Sequence, residues 1–127
     1  MSGQEPDRTP IRLLCADDDA RYRLLIQAVV RTYPRFDLVA AASDGEEAVA
    51  LARQLQPQVA LLDVEMPTMD GMTAAALIVE ELPSTLVVLQ TGELLEERAR
   101  AAQALGLPLL DKLSIHATLS WLGEHLA

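Results

Sequence analysis

Short, predominantly apolar blocks alternate along the chain with segments whose apolar positions recur every three or four residues. The blocks are residues 11–15, 36–41, 59–62, 86–89 and 107–110. Each is of strand length and almost wholly apolar, interrupted only by Arg12 in the first and Asp37 in the second, the pattern of a strand covered on both faces. Helical stretches lie between and after them. Tyr22, Leu25, Ile26, Val29 and Val30 mark one face of the first, and Pro34 blocks its continuation. Ser43 followed by Glu46 fits a capping box and starts the second. Its inward face is Ala48, Leu51, Ala52 and Leu55, and Pro57 ends it. The third follows Gly71, turns Met72, Ala75, Ala76 and Val79 inward, and closes at Pro83. The fourth spans 93–104, with Leu95, Ala99 and Ala102 on one side and Gly106 as its C-cap. Ile115, Leu119, Leu122 and Leu126 define the last. Residues 1–10 carry Pro6 and Pro10 and read as a loose tail ahead of one domain over 11–127.

Strands alternating with helices predict an α/β fold: a doubly wound five-stranded parallel sheet with helices on both faces. Right-handed crossovers leave few topologies, of which the strand order 2-1-3-4-5 is expected. In such sheets ligands bind beyond the carboxyl ends of the strands. Those ends carry Asp17-Asp18-Asp19, Asp63, Thr91 and Lys112. Because the first strand lies between the second and third, Asp17, Asp18 and Asp63 converge.

Composition narrows the function. A chain of 127 residues, half of them hydrophobic, supports one core, and with only 3% aromatic residues that core is aliphatic. Nineteen acids against ten Lys plus Arg give a net charge of −9, which disfavours direct nucleic-acid binding. The single cysteine, Cys15, excludes an internal disulfide framework and is expected to be a buried small hydrophobe. No apolar run is long enough for a membrane span, and the N-terminus lacks a signal-peptide pattern. By elimination a soluble cytoplasmic domain is expected. Lys112 is the one lysine; the other cations are arginines.

Two carboxylates about 4 Å apart repel by roughly 4 kcal/mol at an effective dielectric near 20, so three of them need a countercharge. A hard divalent cation, Mg²⁺ or alternatively Mn²⁺, suits an all-oxygen site, and Lys112 adds a second positive charge. With both in place the site suits a phosphoryl group, which an aspartate carboxylate can attack as nucleophile. Metal and lysine stabilise charge on the group in transfer, and the Thr91 hydroxyl can hydrogen-bond one of its oxygens.

The segment Leu61-Leu62-Asp63-Val64-Glu65-Met66-Pro67-Thr68-Met69-Asp70-Gly71 then resembles the phosphoacceptor strand and loop of response regulator receiver domains, the CheY-like superfamily of two-component systems. Leu13 to Asp18 resembles the first strand with its acidic pair, Gln90-Thr91-Gly92 the hydroxyl position, and Asp111-Lys112 the lysine end of the fifth strand. The resemblance implies that Asp63 accepts phosphoryl from a histidine kinase or phosphotransfer protein. It implies direct Mg²⁺ ligation by Asp18, Asp63 and the Glu65 carbonyl, with Asp17 acting through water. Thr91 and Lys112 would hold phosphoryl oxygens. The face from residue 93 to 127 would then switch for a downstream partner, an output domain or a second copy in a homodimer. Such a domain is a signalling switch that catalyses its own phosphorylation and slow dephosphorylation, without turning over a separate metabolite.

Three departures from the family pattern carry weight. Leu113 stands where many relatives carry a cis-bonded proline; a cis non-proline bond costs about 2.5–4 kcal/mol, so a trans Lys112–Leu113 bond with a locally altered loop, or else a strained cis bond, is expected. Leu109 stands where relatives often carry an aromatic switch residue, so coupling should rely on Thr91, its loop and the fourth helix. Glu65 and Glu93, two residues past Asp63 and Thr91, flank the approach and would tune phosphoryl lifetime. Gly92 would free the loop after Thr91. Arg98 and Arg100 read as a solvated helix face, Arg21 and Arg23 as salt-bridge partners of the acidic cluster, His116 and His125 as isolated surface residues, and Trp121 as boundary packing. Two rivals remain at this point. One is a phosphorylation-independent interaction domain with the same fold; the other is an aspartate-nucleophile phosphohydrolase, disfavoured by Glu65 where such enzymes commonly place a second aspartate.

Overall fold

The computed structural model describes residues 9–112 and 114–126. The expected tail falls mostly outside these residues, as does the Lys112–Leu113 bond. The elements run β1 (Ile11–Ala16), α1 (Ala20–Val30), β2 (Phe36–Ala42), α2 (Gly45–Leu55), β3 (Val59–Asp63), α3 (Gly71–Glu81), β4 (Leu86–Thr91), α4 (Glu96–Leu105), β5 (Leu109–Asp111) and α5 (Ile115–His125). All the strands pair in parallel in the order β2-β1-β3-β4-β5, as the pattern of apolar blocks predicts.

Strand alternation sorts the core into two layers. Leu14, Ala16, Ala60, Leu62, Val87 and Leu89 meet α2 and α3 through Ala48, Ala52, Ala74, Ala75 and Ile78. Leu13, Cys15, Val59, Leu61 and Val88 meet α1 and α5 through Ile26, Val30, Ile115, Leu119 and Leu122. Small side chains on α2 and α3 let those helices lie close to large strand residues. Burial pushes the Cys15 thiol well above its usual pKa, so it stays neutral.

Several local expectations are corrected. Asp44, not Ser43, caps α2: its carboxylate accepts from the Glu47 N–H at 2.8 Å, and Glu47 reaches back to the Ser43 N–H at 2.7 Å. The pair differs from a capping box in that Glu47 returns to the residue before the cap rather than to the cap itself. On α1 Leu25 is 54% exposed, because the helix touches the sheet along a narrower stripe than its apolar positions cover. On α3 the inward residues are Ala74, Ala75 and Ile78, while Ala76 and Val79 face out. The phase is set by the Asp70 cap, which accepts from the Thr73 N–H at 2.8 Å, and by Gly71, where any Cβ would overlap the Asp63 carbonyl. Helix α4 starts at Glu96 rather than 93, and Ala99 is exposed, leaving Ala102 as its buried residue. Strand β5 starts at Leu109, since Leu107 bonds back to the Ala102 carbonyl and closes the α4 turn at Gly106.

Candidate functional site

The carboxyl edge of the sheet forms an open cleft of about 420 Å³. Asp17, Asp18, Asp63, Glu65 and Glu93 line it with Thr91, Lys112 and Arg98. Asp17 follows β1 directly and is fully buried; its N–H still bonds the Ala42 carbonyl at 3.0 Å, and its Oδ1 accepts from the Asp19 N–H at 2.9 Å. That bond bends the chain so that Asp19 can cap α1, accepting from the Arg21 N–H. Asp63 closes β3 and is 6% exposed. Carboxylate oxygens of Asp17, Asp18 and Asp63 lie within 4.8 Å of one another.

Lys112 arrives from the end of β5, fixed by its N–H on the Thr91 carbonyl at 2.9 Å. Its Nζ lies 2.5 Å from Asp17 Oδ2 and 3.5 Å from Asp63 Oδ2. The same ammonium sits over the Tyr22 ring, 4.5 Å from its centroid. Burial pulls the Lys112 pKa down, but the Asp17 hydrogen bond and the Asp63 charge outweigh it, so the net direction is up. Asp63 moves the other way for an acid. Burial and then the Asp17 charge push it up to about 6, against the opposing pull of Lys112. One lysine therefore does not neutralise two buried carboxylates and their exposed neighbour Asp18.

Thr91 ends β4 and is 1% exposed. Its hydroxyl donates to the Glu93 carbonyl at 2.9 Å and accepts from the Glu93 N–H at 3.1 Å. A third partner corrects the solvated-face reading of Arg98: its Nη1 donates to Thr91 Oγ1 at 2.8 Å and its Nη2 pairs with Glu65. Arg23 likewise reaches the site, donating to the Asp17 carbonyl at 2.8 Å rather than pairing with a carboxylate there. A Cβ at Gly92 would meet open space. His116 accepts or donates at the Tyr33 hydroxyl across 2.6 Å, and His125 stacks on Trp121, so neither is isolated.

Tyr22 and Arg98 went unassigned to the site from sequence. Both occupy the first turn or so of a helix that follows a strand. Helical Cα–Cβ bonds tilt toward the N-terminus, so such side chains lean over the carboxyl edge of the sheet. That signal was available for Tyr22, five residues after Asp17. For Arg98 it was hidden, because Gly92-Glu93-Leu94-Leu95 contains no capping residue to fix the helix start; Leu95 caps α4 without a side-chain bond.

Comparison with known proteins agrees with this geometry. Residues 13–113 match the response regulator receiver domain family. A protein-glutamate methylesterase/protein-glutamine glutaminase of Anaeromyxobacter dehalogenans is 39% identical over 116 residues, 91% of this chain and 33% of that protein. A second, from Myxococcus xanthus, is 42% identical over 82 residues, 65% of this chain and 23% of that protein. The chain thus spans a third or less of the length of these curated relatives. The response regulator domain of Thermotoga maritima CheB superposes with a TM-score of 0.72 at 31% identity, covering 80% of this chain and 77% of that one. Vibrio cholerae CheY4, at 23% identity and a TM-score of 0.78, shares the fold over 94% of this chain and the whole of its own. A parallel sheet in the receiver order, an aspartate-rich edge and a family match across most of its length place this chain among the response regulator receiver domains of two-component systems.

Proposed function

We propose that this receiver domain accepts a phosphoryl group on Asp63 from a histidine kinase or phosphotransfer protein, assisted by Mg²⁺, and that the modification alters the surface around α4, β5 and α5 for a partner. The observation that carries the reading is the Lys112 ammonium set between Asp17 and Asp63, with a third carboxylate, Asp18, beside them.

The donor set fits a hard divalent cation. The clustered carboxylate oxygens, and the burial and Asp17 charge that together push Asp63 up to about 6, favour added positive charge. Asp18, Asp63 and the Glu65 carbonyl would hold the ion directly, with Asp17 acting through water. When bound, it supplies charge stabilisation for the phosphoryl oxygens. No helix among the described residues is long and apolar enough to cross a membrane; a cytoplasmic location suits the proposed phosphodonor.

In the transfer an Asp63 carboxylate oxygen forms a bond to phosphorus as the bond from phosphorus to the donor's imidazole nitrogen breaks. The electron pair stays on that nitrogen, and the donor ring, already protonated at its other nitrogen, leaves as neutral imidazole. Lys112 holds one phosphoryl oxygen, and Thr91 donates its hydroxyl to another after releasing the Glu93 carbonyl. The charge of Lys112 is secured at neutral pH by Asp17, which keeps its ammonium available after the Asp63 charge has been redistributed. Glu65 and Glu93 sit at the mouth and tune the lifetime of the acyl phosphate; Glu65→Gln and Glu93→Gln should each change the dephosphorylation rate.

The test is direct. Wild type and Asp63→Asn are incubated with Mg²⁺ and acetyl phosphate or phosphoramidate, and intact masses are recorded. A labile single-phosphoryl adduct on wild type alone is expected. An adduct that survives the substitution would overturn the assignment of Asp63. No adduct from any small donor would favour a phosphorylation-independent interaction domain.

A further inference from the structure

Helix α4 is joined to the cleft by one side chain with several partners. The Arg98 guanidinium donates to Thr91 Oγ1 at 2.8 Å and to the Glu93 carbonyl at 3.1 Å, and its other nitrogen pairs with Glu65. It thereby spans the mouth between the β3–α3 and β4–α4 loops. The Arg98 side chain is 15% exposed and its Glu65 partner 69% exposed, so the cation is sheltered while its counterion is not. The rest of α4 is loosely seated. Ala102 is its buried residue, and an apolar groove of about 470 Å³ opens along it, lined by Leu95, Ala99, Leu107 and Leu109.

In this arrangement the Thr91 hydroxyl is fully occupied. It donates once, to the Glu93 carbonyl, and accepts twice, from the Glu93 N–H and from Arg98. Lys112 is held by Asp17, Asp63 and Tyr22. Arg98 is thus the cation in the cleft with an exchangeable counterion. A planar guanidinium binds a phosphoryl group through paired hydrogen bonds, whereas an exposed carboxylate partner is weakly held.

We propose that Arg98 is a phosphoryl-sensing tether. At rest Glu65 and the Thr91 hydroxyl hold it; once Asp63 is phosphorylated the guanidinium exchanges Glu65 for phosphoryl oxygens and draws α4 toward the cleft. The proposal rests on the reading of Asp63 as phosphoacceptor. It gives this chain a coupling between site and surface that needs no aromatic ring at Leu109, and the groove along α4 leaves the helix room to move.

The experiment uses the ¹⁵N-labelled chain with Mg²⁺ and fluoroberyllate, a phosphoryl mimic that is not hydrolysed. The variants are Arg98→Gln, Arg98→Lys, Glu65→Gln and the Glu65→Gln/Arg98→Gln pair. In wild type, fluoroberyllate should shift the Arg98 Nε–H signal, identified by its loss in Arg98→Gln, and the backbone amides of residues 96–105. Arg98→Gln should bind the mimic about tenfold more weakly. Its amides near Asp63 should respond while those of α4 stay near their resting positions. Arg98→Lys should recover part of the affinity by keeping the charge. Glu65→Gln, an exposed change that spares the fold, should tighten binding about threefold when Arg98 is present and not in the pair. Equal tightening in both backgrounds would mean simple repulsion by Glu65 and would overturn the tether. So would an α4 response in Arg98→Gln matching wild type. Wild type that fails to bind fluoroberyllate would instead remove the reading of Asp63, and the tether with it.

Discussion

Asp63→Asn should make the metal-free protein more stable. In the folded chain burial and the Asp17 charge push the Asp63 carboxyl up to about 6 from its usual 3.8. That difference of about two pH units, fully converted, is roughly 3 kcal/mol of folding free energy lost when the group ionises. The cleft is open to solvent on one side, so about 1–2 kcal/mol is the working figure. The sign follows from linkage. The folded state holds the proton more tightly than the unfolded state, so this group's contribution is fully present below about pH 4. It falls as pH rises and is gone above about pH 6. Asparagine keeps the shape without the charge and leaves Lys112 its closer partner, Asp17. Thermal melts in EDTA at pH 7.5 should therefore place Asp63→Asn above wild type by roughly 4–8 °C, with the gap shrinking by more than half at pH 4.5. Excess Mg²⁺ should reverse the order, because it stabilises a native state that still has its full carboxylate set. A variant no more stable than wild type in EDTA, or a gap indifferent to pH, would refute the reasoning.

Three further outcomes follow from the same structure. Lys112→Met leaves the fully buried Asp17 without its cation and should cost about 2–4 kcal/mol in urea unfolding, partly restored by Mg²⁺. Gly71→Ala drives a Cβ into the Asp63 carbonyl and should cost more than about 2 kcal/mol by the same measurement, while Gly92→Ala, with open space around it, should shift stability by less than about 1 kcal/mol. Thr68 holds a left-handed φ of 62° despite its branched side chain, so Thr68→Gly should raise the melting temperature by the equivalent of about 1 kcal/mol.

The sheet was legible because buried parallel strands announce themselves as nearly unbroken apolar runs, and their carboxyl ends then locate Asp17, Asp18, Asp63, Thr91 and Lys112. Asp17 and Asp63 follow from strand order alone, since β1 and β3 pair directly. Helix faces were less legible. Three consecutive alanines in α3 give no contrast between inside and outside, so packing at Gly71 rather than hydropathy decides that Ala74 and Ala75 go in and Ala76 goes out. Leu24 and Leu25 carry apolar character that the sheet does not use. Arg98 was misplaced because its direction depends on where α4 begins. The turn that delays that start is built from backbone and hydroxyl bonds between Thr91 and Glu93, which composition does not encode.

The two close-packed glycines have a mechanical consequence. Gly71 locks α3 against the backbone of Asp63, and Gly45 locks α2 against the backbone of Met69, with no slack at either joint. Across the cleft, α4 rests on one alanine and a guanidinium. The rim is thus stiff on one flank and compliant on the other, so strain arising at the end of β3 has a single direction in which to dissipate.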